Sequence, residues 1–396
     1  MRFREVRDEF ERNLSERDEL GAAVCVMHEG RTVVDLWGGI ATPESGSPWQ
    51  AETLVVVFSC TKGATALCAH ILASRGELDL DAPVRKYWPE FRSAGTEEIT
   101  PRMLLNHQAG LPGVSDPVTP ADLMDFGLMA ARMTRERPLW RPGTRYGYHA
   151  LTFGWLVGEV VRRVSGETVG NFLRANVTKP LGIDFWIGLA PNEEHRVATT
   201  IGPQPGAQGF SPRFEEALAR GEPIQVTAVN SLGGLFEPGG CDAPGVHAAE
   251  IPAANGIASA RGLAGMYCPL SLDGRHGDVV LVDEDQIAQM AATESAAVEE
   301  CVFFGPLRHS AGFLKASPGR QALLTSEGIV LSEAAFGHPG QGGAIGFADP
   351  VARFSFGYVM NRHPVAGESE GARHQPLINA TYRSLGYRSS DSGKWV

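Results

Sequence analysis

The chain has no surplus of positive charge, no apolar run long enough to span a membrane and no Cys-x-x-Cys pair. Each absence closes a class of function. With a formal net charge of −11 and an isoelectric point near 5.5, it lacks the basic footprint that nucleic acid requires. The same balance turns it away from an anionic membrane surface. The first ten residues, Met1 to Phe10, mix charges and contain no apolar h-region, so no signal peptide is read there and a cytoplasmic location is expected. The six cysteines (25, 60, 68, 241, 268 and 301) are scattered, which fits reduced structural thiols. There is no internal repeat.

What is there is ordinary globular material: 43% hydrophobic and 20% charged over 396 residues. That is enough for one elaborate domain or two closely packed ones. Phe3, Val6, Phe10 and Leu14 recur at helical spacing and predict an N-terminal amphipathic helix over 2–18. Ala22–Met27 and Thr32–Trp37 are β-rich runs around His28-Glu29-Gly30-Arg31, a hairpin signal. Helix signals follow at about 59–75, from Thr100-Pro101, and at 120–133, 151–164 and 169–176. From 188 to 255 glycine and proline become frequent and periodicity fades, the texture of a long irregular stretch that walls or covers a pocket. Helices are expected again at 258–267 and 283–292, strands at 335–337, 344–348 and 353–360, and a last helix near 375–385. Strands at both ends with helices between predict an antiparallel sheet built from both termini, flanked by end helices, with a helical domain inserted. The expected division is 1–75 with 300–396 for the discontinuous sheet domain, and 76–299 for the mainly helical one.

Chemistry enters at Ser59-Cys60-Thr61-Lys62, which follows the apolar run Leu54 to Phe58 and opens a predicted helix. Positions i and i+3 share a helix face, so Ser59 and Lys62 point the same way. A hydroxyl is a poor nucleophile at neutral pH, and a desolvated lysine amine can act as its base. Ser-x-x-Lys marks penicillin-binding proteins and β-lactamases, but five lysines and 23 serines supply such a pair by chance in roughly one chain in three or four. Two further parts are needed, a proton shuttle and an oxyanion hole. The turn-rich loop Arg141–Ala150 offers Tyr148 as the shuttle, with Tyr146 competing. Adjacent ammonium groups would lower the tyrosine's pKa for that task. Gly337-His338-Pro339-Gly340-Gln341-Gly342-Gly343-Ala344 offers glycines before a strand, where the backbone can approach a developing oxyanion. It is not a dinucleotide fingerprint, because the spacing differs and a strand follows.

In this order and spacing the three stretches resemble the serine β-lactamase-like superfamily, and more closely its class C β-lactamase-like carboxylesterases, the family VIII esterases. Phe58-Ser59-Cys60-Thr61-Lys62-Gly63 is similar to the family's nucleophile motif. Leu104 to Pro112 resembles its Leu-Leu-x-His-x-x-Gly-Leu-Pro segment, and Pro142-Gly143-Thr144 followed by Tyr148 looks like the approach to its Tyr-x-Asn motif. His338-Pro339-Gly340 falls where β-lactamases place Lys-Thr-Gly, and Phe347-Ala348-Asp349-Pro350 is similar to the strand end that follows. The resemblance implies a three-layer α/β/α sandwich with an inserted helical domain. It further implies Ser59 as nucleophile, Lys62 and Tyr148 sharing base and acid duties, and the backbone N–H groups of Ser59 and Gln341 as oxyanion hole. His338, Gly340 and His149 would line the substrate, and no metal or cofactor is called for.

Two departures narrow the expectation. Tyr148-His149-Ala150 replaces Tyr-Ser-Asn, and His338 replaces a lysine, so a permanent cation for a β-lactam carboxylate is missing. Both favour a small, neutral, short-acyl ester as the partner molecule. An amide or β-lactam hydrolase of D-alanyl peptidase or nylon-oligomer hydrolase kind, an acyltransferase and a non-catalytic scaffold are the alternatives. His107 and Asp79-Leu80-Asp81 lack partners at metal-ligand spacing and read as loop and capping residues. Asn176-Val177-Thr178 matches a glycosylation acceptor, which has no use in the cytoplasm.

Overall fold

The computed structural model describes residues 2–202, 210–237, 239–316, 330–364, 369, 371–388 and 395. At its centre is an antiparallel sheet of six strands: β1 (Gly21–His28), β2 (Arg31–Thr42), β3 (Ser47–Pro48), β4 (Phe336–Pro339), β5 (Ile345–Asp349) and β6 (Phe354–Met360), in the order β4-β5-β6-β1-β2-β3. The two ends of the sequence meet where β1 pairs with β6, with Val24 opposite Tyr358. Glu29 and Gly30 both take positive φ, 50° and 73°, between β1 and β2. That is the two-residue turn whose twist matches a right-handed hairpin.

Alternation along the strands divides the core into two layers. Ala22, Val24 and Val26 of β1, with Phe354, Phe356 and Tyr358 of β6, face helix α1 (Arg4–Glu16) and the C-terminal helix Gly371–Leu385. Val6 and Phe10 on one helix and Leu377, Ile378 and Tyr382 on the other complete that layer, and Asn13 Nδ2 donates to the Arg373 carbonyl at 3.0 Å between them. Ala23 and Cys25 face the opposite side, where the helices α2 (Cys60–Ser74) and α3 (Ala260–Tyr267) lie. The α3 backbone comes so close to the sheet that a Cβ on Gly357 would sit 2.4 Å from the Ala260 carbonyl oxygen. Residues 260–267 thus pack on the sheet.

The middle of the chain is helical, with Thr152–Ser165 packed against α2. Thr100 caps the short helix Pro101–Leu105 by accepting from Met103 N–H. A small three-stranded sheet, Val55–Val56, Ile257–Ala258 and Phe185–Trp186, leads the chain into α2. The 188–255 stretch is less irregular than its sequence implied. It contains the short helices Pro212–Ala219, Pro223–Asn230 and Pro244–Ala248, each with proline in its first turn. Its residues 203–209 and 238 lie outside the described residues. No helix among the described residues is long and apolar enough to cross a membrane.

Candidate active site

After the strand Val55–Val56 the chain turns at Phe58, whose φ of 44° is in the left-handed region. A bulky residue there is strained and persists only where its surroundings enforce it. The turn delivers Ser59 to the start of α2, where helix N–H groups have no intrahelical acceptor and the macrodipole is positive. One turn on, Lys62 returns to the same face. Its Nζ donates to Ser59 Oγ at 3.1 Å and to the Ala253 carbonyl at 2.9 Å. The side chain is 0% exposed, and no carboxylate pairs with it among the described residues. Burial lowers its pKa to about 7, against a small opposing influence of Cys60. With one N–H on the Ala253 carbonyl, the neutral amine can turn its lone pair toward the serine hydroxyl.

The loop before the helix Thr152–Ser165 carries Tyr148 to the same place. Its hydroxyl is close enough to Ser59 for the serine side chain to act on it, and Lys62 Nζ lies 4.9 Å from its ring centroid. The pKa of this phenol moves opposite to the expectation: burial pushes it up, and the Ser59 side chain only partly opposes that. It is therefore a protonated donor in the resting site. Tyr146, the competing residue, points elsewhere and bonds His309 Nδ1.

The third stretch arrives as β4 and the turn Gln341–Gly343. Cys60 Sγ donates to the His338 carbonyl at 3.2 Å, so β4 runs along the first turn of α2. Gly340 makes this possible, because a Cβ there would stand 2.2 Å from the Val57 carbonyl oxygen. The Gly340 N–H itself is taken by the Ala344 carbonyl at 2.7 Å, and Gln341 follows on the turn, where Gly342 and Gly343 have φ of 88° and 114°. His338 is 2% exposed and sits 6.2 Å from Tyr148, ring to ring. Its Nδ1–H donates to the Pro339 carbonyl at 2.7 Å, which leaves Nε2 as an acceptor. Burial, then Lys62 and His309, hold its pKa well below the ordinary histidine value, so the ring is neutral.

Ser59, Lys62, Tyr148, Gly340, Gln341 and His338 thus converge from three separate stretches. His149 does not join them. Its Nε2 accepts from Leu111 N–H at 3.0 Å and its Nδ1–H donates to the Gly147 carbonyl at 2.7 Å. With both nitrogens spent on backbone it fastens the tyrosine loop, and the substrate-binding expectation for it is corrected on that ground. His107 is part of the same fastening: its Nδ1 accepts from His149 N–H at 3.1 Å. Asp79 Oδ1 accepts from Asp81 N–H at 3.0 Å, a local turn. Sequence reasoning passed over three contributors. The Ala253 carbonyl belongs to a turn held by Asn255, which bonds Val246, Ala249 and Ile251. His309, buried and neutral with its pKa lowered to about 3 by burial, lies 5.9 Å from the Tyr148 ring. Glu300 accepts from Tyr148 N–H at 2.8 Å.

The Beta-lactamase family matches residues 6–379. Esterase/beta-lactamase LipL of Mycobacterium tuberculosis (strain ATCC 25618 / H37Rv) is 33% identical over 359 residues, 86% of this chain and 77% of its own length. Among solved structures, a family VIII carboxylesterase superposes with a TM-score of 0.82 at 35% identity, covering 97% of each chain. A penicillin-binding protein homolog from Caulobacter crescentus does so with a TM-score of 0.82 at 34% identity, again over 97% of both.

Proposed function

This chain belongs to the beta-lactamase family, and on that premise we propose that it is a serine esterase cleaving small, neutral, short-acyl esters through an acyl-enzyme on Ser59. The observation that carries the reading is the buried, uncompensated Lys62 amine 3.1 Å from Ser59 Oγ. Neutral Lys62 takes the Ser59 proton as Oγ attacks the ester carbonyl carbon. The backbone N–H groups of Ser59 and Gln341 receive the charge on the carbonyl oxygen. As the ester C–O bond breaks, the departing oxygen takes the Tyr148 proton, and the Lys62 ammonium returns a proton to the tyrosine. Water then attacks the acyl group by the same steps in reverse. An amine near neutrality beside a phenol held protonated supports this division of labour.

The substrate class follows from His338. A neutral imidazole gives no permanent countercharge for a carboxylate, so an uncharged ester is preferred over a β-lactam. Hydrolysis of an amide or β-lactam is the second reading, its β-lactam form favoured by a relative named both esterase and beta-lactamase. An acyltransferase would use the same acyl-enzyme with an alcohol in place of water. Six free thiols suit action in a reducing compartment, and we place it in the cytoplasm. The test is turnover of p-nitrophenyl acetate and butyrate by the wild type and by Ser59→Ala. We expect loss of more than about a thousandfold in kcat; retained turnover would remove Ser59 as nucleophile. Comparing kcat/KM for an ester and a cephalosporin separates the two substrate classes.

A further inference from the structure

Glu300 is 1% exposed, and among the described residues no cation pairs with it. Its carboxylate instead collects backbone donors. One oxygen accepts from Tyr148 N–H at 2.8 Å and from Val302 N–H at 3.1 Å, while the other accepts from Phe303 N–H. Cys301 N–H donates to the Tyr146 carbonyl at 3.1 Å beside it. Burying an ionisable group without a countercharge is costly, and three amides are what make it tolerable here. A loop that needed only fastening could be fastened by a neutral side chain, as His149 does for this same loop.

What the carboxylate joins is informative. Tyr148 is the phenol that reaches Ser59, and Phe303 is the ring next to it, with centroids 6.1 Å apart. Phe303 in turn stacks on Phe214 at 5.4 Å. One side chain therefore fixes the main chain of the proton donor and of the aromatic ring at its side. We propose that Glu300 is the positioning residue of Tyr148, setting the reach of the phenol to Ser59 and to the leaving group. The inference rests on the esterase reading above. The groups facing the carboxylate are Tyr148, Tyr146 and Cys301, whose pKa values its charge helps to raise, with Arg145 acting on Cys301 from outside. Burial lifts Glu300 itself to about 7.

The experiment is a double-mutant cycle on p-nitrophenyl butyrate with Glu300→Gln, Tyr148→Phe and the double variant. Active sites are counted by burst titration with a fluorophosphonate on Ser59, and folding is checked by thermal denaturation. Glu300→Gln should lower kcat about ten- to a hundredfold, the cost of a misplaced catalytic group, with KM within about twofold. In the Tyr148→Phe background the same change should cost less than about twofold, because the residue acts through that phenol. An equal loss in both backgrounds overturns the proposal, as does a loss confined to KM. Where Glu300→Gln does not fold, Glu300→Asp, one methylene shorter, goes through the same cycle with the same criteria. Failure of the esterase reading is seen separately, as wild-type turnover that survives Ser59→Ala.

Discussion

Lys62 sits where water does not reach, and that one fact sets the pH at which the site can work. A protonated Lys62 cannot take the Ser59 proton, so activity is present above the lysine's pKa and lost as the pH falls through it. With the amine lowered to about 7, kcat/KM is expected to rise through neutrality and to flatten by about pH 8. A profile flat from pH 6 to 8 would remove Lys62 as the base. His338 offers a second handle, because Lys62 already helps to hold its ring below the ordinary histidine pKa. His338→Lys would place a second cation there. The acid limb should move down by roughly one unit, and esters bearing a carboxylate should gain about tenfold in kcat/KM relative to neutral ones. Measuring both substrates over the same pH range checks the two effects together; an unmoved limb would show that residue 338 is electrically remote from the lysine.

The site depends on a close approach of the end of β4 to the turn that leads into α2, with Gly340 against the Val57 carbonyl. A methyl group at position 340 would meet a backbone oxygen 2.2 Å away, and backbone cannot rotate aside. Gly340→Ala is therefore expected to push the Gln341 turn away from Ser59 and to lower kcat by about a hundredfold, with a smaller change in melting temperature. Wild-type kcat in that variant would mean the turn carries no part of the reaction. Such elements were largely legible in the sequence. The apolar run into Ser59, the Glu29-Gly30 turn, the Thr100 cap and the strands at both ends all follow local rules that a single stretch can express. The prolines of 188–255 misled, because Pro212, Pro223 and Pro244 open short helices rather than interrupt chain. Partners far apart in sequence were not legible. Ala253 contributes only a carbonyl to Lys62, 191 residues away, and any residue type supplies one. Glu300 grips amides, which carry no sequence signal, and His149 was misread because its partners are the backbone of Leu111 and Gly147.

At the scale of the whole molecule, the interior is rich in neutral histidine. Of eleven in the chain, His70, His107, His149, His309, His338, His363 and His374 are all buried. Burial lowers the pKa of each, to about 4 or below for those with a value. In the unfolded chain each returns to an ordinary value near 6.5, so the unfolded state binds more protons between about pH 6.5 and 4. The stability these seven contribute is whole above pH 6.5 and drains away as the pH falls. Glu19 and Glu300 work in the opposite sense. Burial raises both to about 7, so the folded state holds their protons more tightly, and what they cost is relieved as the pH falls from 7 towards 4.5. Asp242, which burial also raises, works in the same sense as these two, and seven groups against three leave the histidines in control. The urea midpoint is expected to drop continuously from pH 7 to pH 5, and replacing His70, which bonds the Ala311 carbonyl and Gln286 far from Ser59, with Gln should shallow that slope by about one proton. A midpoint that held steady to pH 5 would mean the rings are not neutral in the folded protein, and the low-charge surroundings argued for Lys62 would fall with them.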